Sequence, residues 1–191
     1  SREMLMKSQS LGENSNLTKI TLTALSQDDA HIPFSDTKGA EDAIRKGEAA
    51  FVRGDLDAAF ELYKKALELD PNLYDAALYA GDSLFKKGYA ATDPQKRAQH
   101  FESAGVWFAK AIAIDPNRET AYRYWGDALD QQGKTEAARD KFVEAIVADP
   151  SSERAYMGLT QWGQRHGVPM AHPKVDIPAN LSVAKPGEVN I

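Results

Sequence analysis

The segment ALELDPN, residues 66–72, recurs as AIAIDPN at residues 111–117 and as AIVADPS at residues 145–151. The prolines of the three copies are 45 and then 34 residues apart. One series of glycines has the opposite order of spacings, 34 and then 45: Gly47, Gly81 and Gly126. Both orders are possible only if the base period is 34 residues and the middle copy contains 11 additional residues. The chain is therefore an array of three repeats with one insertion.

Each unit has the periodicity of two helices. In its first half, small or apolar residues recur at the spacing i, i+3, i+4, i+7, as in Ala77, Ala80, Gly81 and Leu84. The glycine that follows, Gly88 in this copy, is expected to end the helix in the left-handed backbone conformation. The second half ends at the proline, which cannot continue a helix. The pattern predicts seven helices, near residues 39–53, 56–69, 73–88, 94–114, 118–132, 135–148 and 151–165.

These positions match those of the tetratricopeptide repeat, which the sequence resembles over residues 40–165. The first repeat carries the matching residues Gly47, Gly54, Ala59, Tyr63, Ala66 and Pro71. The resemblance implies an all-α fold, a right-handed superhelix of helix pairs. The expected organisation is an extended or partly disordered segment at 1–39, repeats at 40–73, 74–118 and 119–152, a capping helix to residue 167, and a proline-containing tail at 168–191.

The insertion lies near Asp93-Pro94, which is a good helix start because Asp caps a helix and Pro fits its first turn. If all 11 residues lengthen the second helix of the middle repeat, that helix projects by about 16 Å. Its exposed start then carries Lys96, Arg97 and His100. These residues form either a solvated helix end or a secondary contact for an acidic partner.

Composition narrows the function. The 191 residues include 28 acidic and 23 basic ones, a net charge of −5, which argues against nucleic-acid binding by clustered Lys and Arg. The longest uncharged run, Ala155–Gln164, is too short to span a membrane. There is no cysteine, no phosphate-binding loop and no nucleophile motif, and the pair His166 and His172 is a weak metal signal. We expect no enzyme activity, cofactor or metal. Cytoplasmic residence and export with removal of a leader both stay open.

In the family that the sequence resembles, the first helices of the repeats line a concave groove. Carried over residue by residue, the candidate partner-binding residues are Glu48, Phe51, Tyr79, Asp82, Phe85, Arg123, Tyr124 and Asp127. Slot 9 of the repeat is acidic each time: Glu48, Asp82 and Asp127. Family members that hold the C-terminal carboxylates of chaperones have Asn there and Lys at slot 5, where this chain has Glu48 and Ile44.

The acidic row has two explanations. It selects a partner with basic and apolar residues and repels a carboxylate, or it is neutralised within the helices, by Arg45 on Glu48 and Arg123 on Asp127. The first explanation predicts a non-enzymatic module that binds a protein or peptide segment. The alternative function is self-assembly, or a spacer role in a longer multidomain protein.

Overall fold

The computed structural model describes residues 33–169, and these fold into seven α-helices without a strand. The helices are α1 (Lys38–Val52), α2 (Leu56–Leu69), α3 (Tyr74–Ala90), α4 (Pro94–Ile114), α5 (Glu119–Gln131), α6 (Thr135–Ala148) and α7 (Glu153–Arg165). The ends expected from the sequence agree with these to within two residues, so the prediction of an all-α repeat fold is confirmed. The sequence-based interpretations of residues 1–32 and 170–191 lie outside the described residues.

The helix ends follow from local chemistry. The carboxylate of Asp55 accepts a hydrogen bond from the Ala58 N–H at the start of α2 (3.1 Å), and Asp93 accepts one from the Gln95 N–H at the start of α4 (2.8 Å). Gly54 and Gly133 follow α1 and α5 with φ of 80° and 70°, which a side chain would make costly. These caps and turns end the first helix of a repeat and begin the second within a few residues.

A glycine on the first helix of each repeat packs against an aromatic ring on the second. A Cβ added to Gly47 would lie 2.6 Å from Tyr63, one added to Gly81 2.5 Å from Phe108, and one added to Gly126 2.9 Å from Phe142. These rings are fully buried. The repeated glycine is thus required by close contact between helices, and the aromatic residue fills the space it leaves.

The insertion lengthens both helices of the middle repeat, so not all 11 residues extend the second helix, although that helix spans residues 94–114 as predicted. Val52, where α1 ends, corresponds to Lys86, but α3 continues to Ala90. Phe101 corresponds to Leu56, the start of α2, but α4 begins seven residues earlier, at Pro94. Helix α3 thus gains four residues and α4 gains seven, so the loop between them keeps its length. The seven residues extend α4 by about 10 Å.

The extension has its own packing layer. Gly88 lies within α3 and does not end it, so the predicted helix-terminating role is wrong. A Cβ at Gly88 would lie 2.7 Å from Cε1 of Phe101, a ring that is 1% exposed. Gly88 and Phe101 are each seven residues from the Gly81–Phe108 pair, and they repeat its contact two turns further along both helices.

At the start of α4, Arg97 folds back and donates hydrogen bonds to the Ala91 carbonyl oxygen, 2.8 Å from Nη2. This basic side chain therefore caps the preceding helix.

Helix α7 closes the array through residues that hold it to the last repeat. The Trp162 ring is buried and its Nε1 donates to the Thr135 carbonyl oxygen at 3.2 Å. Asp130 of α5 binds Arg165 at 2.8 Å and His166 at 2.6 Å. His166 thereby shares the Asp130 carboxylate with Arg165, and His172 lies outside the described residues. None of the helices of residues 33–169 is both long and apolar enough to cross a membrane.

Candidate partner-binding groove

A pocket of about 170 Å³ lies between the first two repeats. Its lining residues come from α1, α2 and α3: Glu48, Phe51, Val52, Tyr63, Tyr79 and Asp82. Four of the eight candidate residues from the sequence thus meet at one place, namely Glu48, Phe51, Tyr79 and Asp82. The pocket is open to solvent on one side and large enough for a single side chain of a partner.

Two lining residues were not among the candidates. Val52 is 85% exposed at the end of α1 and corresponds to a groove slot of the family. Tyr63 belongs to a second helix, where the repeat pattern indicates only core packing. Its ring passes beside Gly47, which has no side chain to block it, and so it reaches the pocket. The pairing of Gly47 with an aromatic residue is the signal that could have located it.

Three of the six residues that line the pocket are aromatic: Phe51, Tyr63 and Tyr79. The rings of Tyr63 and Tyr79 have their centroids 5.5 Å apart, and the Lys86 ammonium lies 5.4 Å from the centre of the Phe51 ring. Rings held in this way present a rigid apolar surface at little cost in conformational entropy. An apolar side chain of a partner would therefore find preformed contacts here.

Two carboxylates stand at this apolar wall. Burial raises the pKa of Glu48, and Arg45 opposes the shift through its charge. Burial also raises the pKa of Asp82, and Lys86, with its Nζ 3.4 Å from Oδ1, opposes it. Desolvated carboxylates gain more from a cation than carboxylates in open water do. The pocket thus combines an apolar wall with two partly desolvated carboxylates.

The predicted intrahelical ion pairs of Arg45 with Glu48 and of Arg123 with Asp127 do not form. Arg45 pairs with Glu41, and Arg123 pairs with Glu119 at 3.1 Å, so each arginine reaches toward the N-terminus of its helix instead of toward the acidic row. A carboxylate one turn before a cation is the favourable order on a helix, and the predicted Arg123–Asp127 pair has the reverse order. Among the described residues no cation lies within 4 Å of the Glu48 carboxylate.

The other four candidates lie apart from this pocket. Phe85 packs in a cluster with Tyr89 and Phe101, with ring centroids 5.0 Å and 5.4 Å away. Tyr124 packs edge-on against the buried ring of Phe108 at 5.9 Å, and Arg123 lies over its ring at 5.0 Å.

Two arginine charges act on the carboxylate of Asp127, whereas one acts on that of Glu48. Burial raises the pKa of Asp127, and the charges of Arg165 and Arg123 oppose the shift. Nη2 of Arg165 lies 3.9 Å from Oδ1 of Asp127. Burial raises the pKa of Tyr89, and the charge of Asp127 adds to this shift while that of Arg165 opposes it. Tyr89 is 56% exposed and belongs to the insertion, so no position of the repeat pattern could indicate it.

Comparison with known proteins identifies the repeat. Residues 40–73 match the family model of the tetratricopeptide repeat. No curated protein matches the chain.

Solved structures match over most of the chain. The first tetratricopeptide domain of Spaghetti (RPAP3), bound to the HSP90 peptide SRMEEVD, has a TM-score of 0.58 at 21% identity and covers 70% of this chain and 99% of that one. The second such domain of human RPAP3, in complex with the HSP70 peptide SGPTIEEVD, has a TM-score of 0.54 at 19% identity, with 66% and 93% covered. The Sgt2 domain from Aspergillus fumigatus has a TM-score of 0.56 at 19% identity, with 78% and 96% covered. At these identities the likeness establishes the fold.

Proposed function

We propose that this chain, in which residues 40–73 match the tetratricopeptide-repeat model and whose fold is similar to that of tetratricopeptide domains, is a non-enzymatic interaction module. Its groove binds a protein or peptide segment that carries an apolar side chain beside a basic one. The observation that carries this proposal is the pocket lined by Tyr63 and Tyr79, with the desolvated carboxylates of Glu48 and Asp82 at its wall. The proposed site comprises Glu48, Phe51, Tyr79, Asp82, Phe85, Arg123, Tyr124 and Asp127.

The charge of the pocket distinguishes this proposal from the ligands of the structural neighbours. The peptides bound to the two RPAP3 domains, SRMEEVD and SGPTIEEVD, both end in acidic residues. In this chain the Glu48 carboxylate has no close cation, and Asp82 has a single lysine at 3.4 Å. A peptide carboxylate placed here would meet like charge in a partly desolvated site, which is unfavourable. The expected ligand therefore has the opposite charge.

A peptide array incubated with the full chain tests the preference. We expect bound peptides to be enriched in Lys or Arg next to Leu, Ile, Val or an aromatic residue. Enrichment in acidic peptides or in free C-terminal carboxylates would contradict the proposed charge selection.

A matched pair of variants locates the site once a bound peptide is available. Tyr79→Ala removes part of the pocket wall and should weaken binding about tenfold or more, as expected for an aromatic contact residue. Tyr156→Ala removes a tyrosine of α7 that is 46% exposed and lies outside the pocket, so it should leave affinity unchanged. Fluorescence anisotropy with a labelled peptide measures both. An unchanged affinity in Tyr79→Ala would place binding elsewhere on the molecule.

The alternative function is self-assembly or a spacer role, and self-assembly predicts a different result. Light scattering at micromolar concentrations would then give a mass above 21.0 kDa, that of one chain. A binding module that acts alone gives the mass of one chain at every concentration.

A further inference from the structure

Residues 33–37, the segment before α1, are fixed against the first repeat. The backbone N–H groups of Phe34 and Ser35 donate to Oε2 of Glu41, at 2.8 Å and 3.2 Å. Ser35 is buried, and its hydroxyl donates to the Asp70 carboxylate at 2.6 Å. Because Asp70 stands at the end of α2, the segment is tied to both helices of the repeat, and the place of Phe34 is set.

The ring of Phe34 contacts an arginine of α1 as well as the pocket. It meets the Tyr79 ring edge-on with centroids 6.2 Å apart. The guanidinium carbon of Arg45 lies 5.6 Å from the centre of the Phe34 ring, within the range at which an aromatic face attracts a cation. Arg45 also pairs with Glu41, the carboxylate that the segment fixes. The ring and the carboxylate together hold the guanidinium toward the start of the helix.

Glu48 is a competing partner for Arg45. It lies three residues further along α1, and residues three apart are neighbours on one side of a helix. The side chain of Arg45 reaches it by a change of rotamer alone, without movement of the backbone. Arg45 nevertheless pairs with Glu41 and acts on Glu48 only as a more distant charge. What holds Arg45 therefore decides which carboxylate stays open at the pocket.

The third repeat builds the same arrangement from its own helix. Arg123 pairs with Glu119 at 3.1 Å, and its guanidinium carbon lies 5.0 Å from the centre of the Tyr124 ring. In the first repeat Arg45 is followed by Lys46, so α1 offers no ring at that position. The segment before α1 supplies one. The same combination of ring and carboxylate thus holds both arginines away from the acidic row.

We propose that Phe34 is a positioning residue of the partner-binding groove. Its ring and the Glu41 carboxylate keep Arg45 away from Glu48, so that the Glu48 carboxylate accepts a Lys or Arg side chain of the partner. Without the ring, Arg45 turns to Glu48 and occupies the place of the partner's cation. The segment before α1 thereby determines the charge preference of the pocket. This inference rests on the proposed function, which takes Glu48 as a residue that binds the partner.

The pKa of Glu48 reports the position of Arg45 in the chain without a partner. Burial raises this pKa, the charge of Arg45 lowers it, and the charges of Glu41 and Asp75 raise it. The titratable and charged groups that face Glu48 are Glu41 and Arg45 of α1, Tyr63 of α2, and Asp75, Tyr79 and Asp82 of α3. Arg45 is the cation among them, so its approach to Glu48 lowers the pKa further.

Carbon-13 NMR of the full chain measures this pKa from the titration of the Glu48 side-chain carboxyl. Phe34→Leu keeps an apolar side chain but removes the aromatic face, and the pKa of Glu48 should fall by about half a pH unit or more as Arg45 approaches. Phe34→Tyr keeps the ring and should leave the pKa unchanged. The control Phe60→Leu changes a ring of α2 that packs on Trp107 and does not line the pocket, and it should also leave the pKa unchanged.

The same change in an Arg45→Met background separates the effect of the arginine from that of burial. There Phe34→Leu should leave the pKa of Glu48 as it is. A constant pKa in the chain that carries Phe34→Leu alone would overturn the proposal. An equal fall with and without Arg45 would also refute it, because the ring would then act by shielding Glu48 from water.

A second measurement concerns the unmodified chain. Nuclear Overhauser contacts should join the δ-protons of Arg45 to the Phe34 ring, and in Phe34→Leu they should join them to the γ-protons of Glu48. Stronger contacts to Glu48 than to the ring in the unmodified chain would show that the ring does not hold the arginine. Neither measurement uses a partner. Their failure would leave peptide binding to its own experiment, and a failure of peptide binding would leave the position of Arg45 to these.

Discussion

The Gly88–Phe101 contact makes a quantitative prediction about the insertion. An added methyl at Gly88 would lie 2.7 Å from one ring carbon of Phe101 and 2.8 Å from another, closer than side chains pack. Phe101 is 1% exposed, so its ring has little room to move away. Overpacking of this kind costs about 1–3 kcal/mol, and the better helix propensity of Ala offsets about 1 kcal/mol. Gly88→Ala should therefore lower the free energy of unfolding by about 0–2 kcal/mol, the overpacking cost less the gain in helix propensity.

A double-mutant cycle separates this contact from a backbone effect. Phe101→Leu makes room for the methyl group, so Gly88→Ala should be nearly neutral or stabilising in that background. The coupling energy between the two changes should be about 1–3 kcal/mol, the overpacking cost that the smaller side chain removes. Urea unfolding followed by circular dichroism measures all four proteins.

Gly54→Ala provides the matched control. Gly54 has φ of 80° with open space around its Cβ position, so this change should destabilise through the backbone and show no coupling to Phe101. If the effects of Gly88→Ala and Phe101→Leu are additive to within about 0.3 kcal/mol, Gly88 does not contact the ring, and the packing layer assigned to the insertion is wrong.

Three further predictions concern the site and the array. Burial raises the pKa of Glu48 and Asp82, so affinity for a basic peptide should fall as pH is lowered through values above those of exposed carboxylates. Glu48→Gln with Asp82→Asn should flatten that pH profile in anisotropy titrations, and an unchanged profile would exclude the two groups. Deleting residues 87–90 together with 94–100 should preserve cooperative unfolding because the loop between α3 and α4 is kept. Deleting residues 91–101 removes that loop and Phe101, and should abolish cooperative unfolding. Equal thermal transitions for both deletions would refute the division of the insertion between the two helices. Asp130→Ala removes the partner of Arg165 and His166, and hydrogen exchange should then speed up in α7 more than in α3; a uniform change would show that the ion pairs do not hold α7.

The helices and their period could be predicted from the sequence because their signals are local. Apolar residues at helical spacing mark one face of each helix, and Asp55, Asp93, Gly54 and Gly133 act on their own termini within a few residues. The candidate residues Glu48, Phe51, Tyr79 and Asp82 could be chosen for a related reason. Equivalent slots of a repeat face the same way, so one groove position implies the others.

The roles of Gly88 and Tyr63 depend on residues that are distant in sequence, so only the tertiary structure determines them. A glycine can either end a helix or provide space for a close contact within one. Gly88 does the second, because the Phe101 ring of the neighbouring helix packs against it. Tyr63 became a groove residue because Gly47 on another helix has no side chain.

The tertiary structure likewise determines which carboxylates of the acidic row have a cation partner. Arg45 is within sequence reach of both Glu41 and Glu48, and it pairs with Glu41, whose carboxylate also holds the backbone of Phe34 and Ser35. Sequence spacing restricts which partners an arginine can reach. The positions of the other helices and of the segment before α1 determine which carboxylate stays open to a ligand, because burial and electrostatic interactions depend on distance in space and not along the chain.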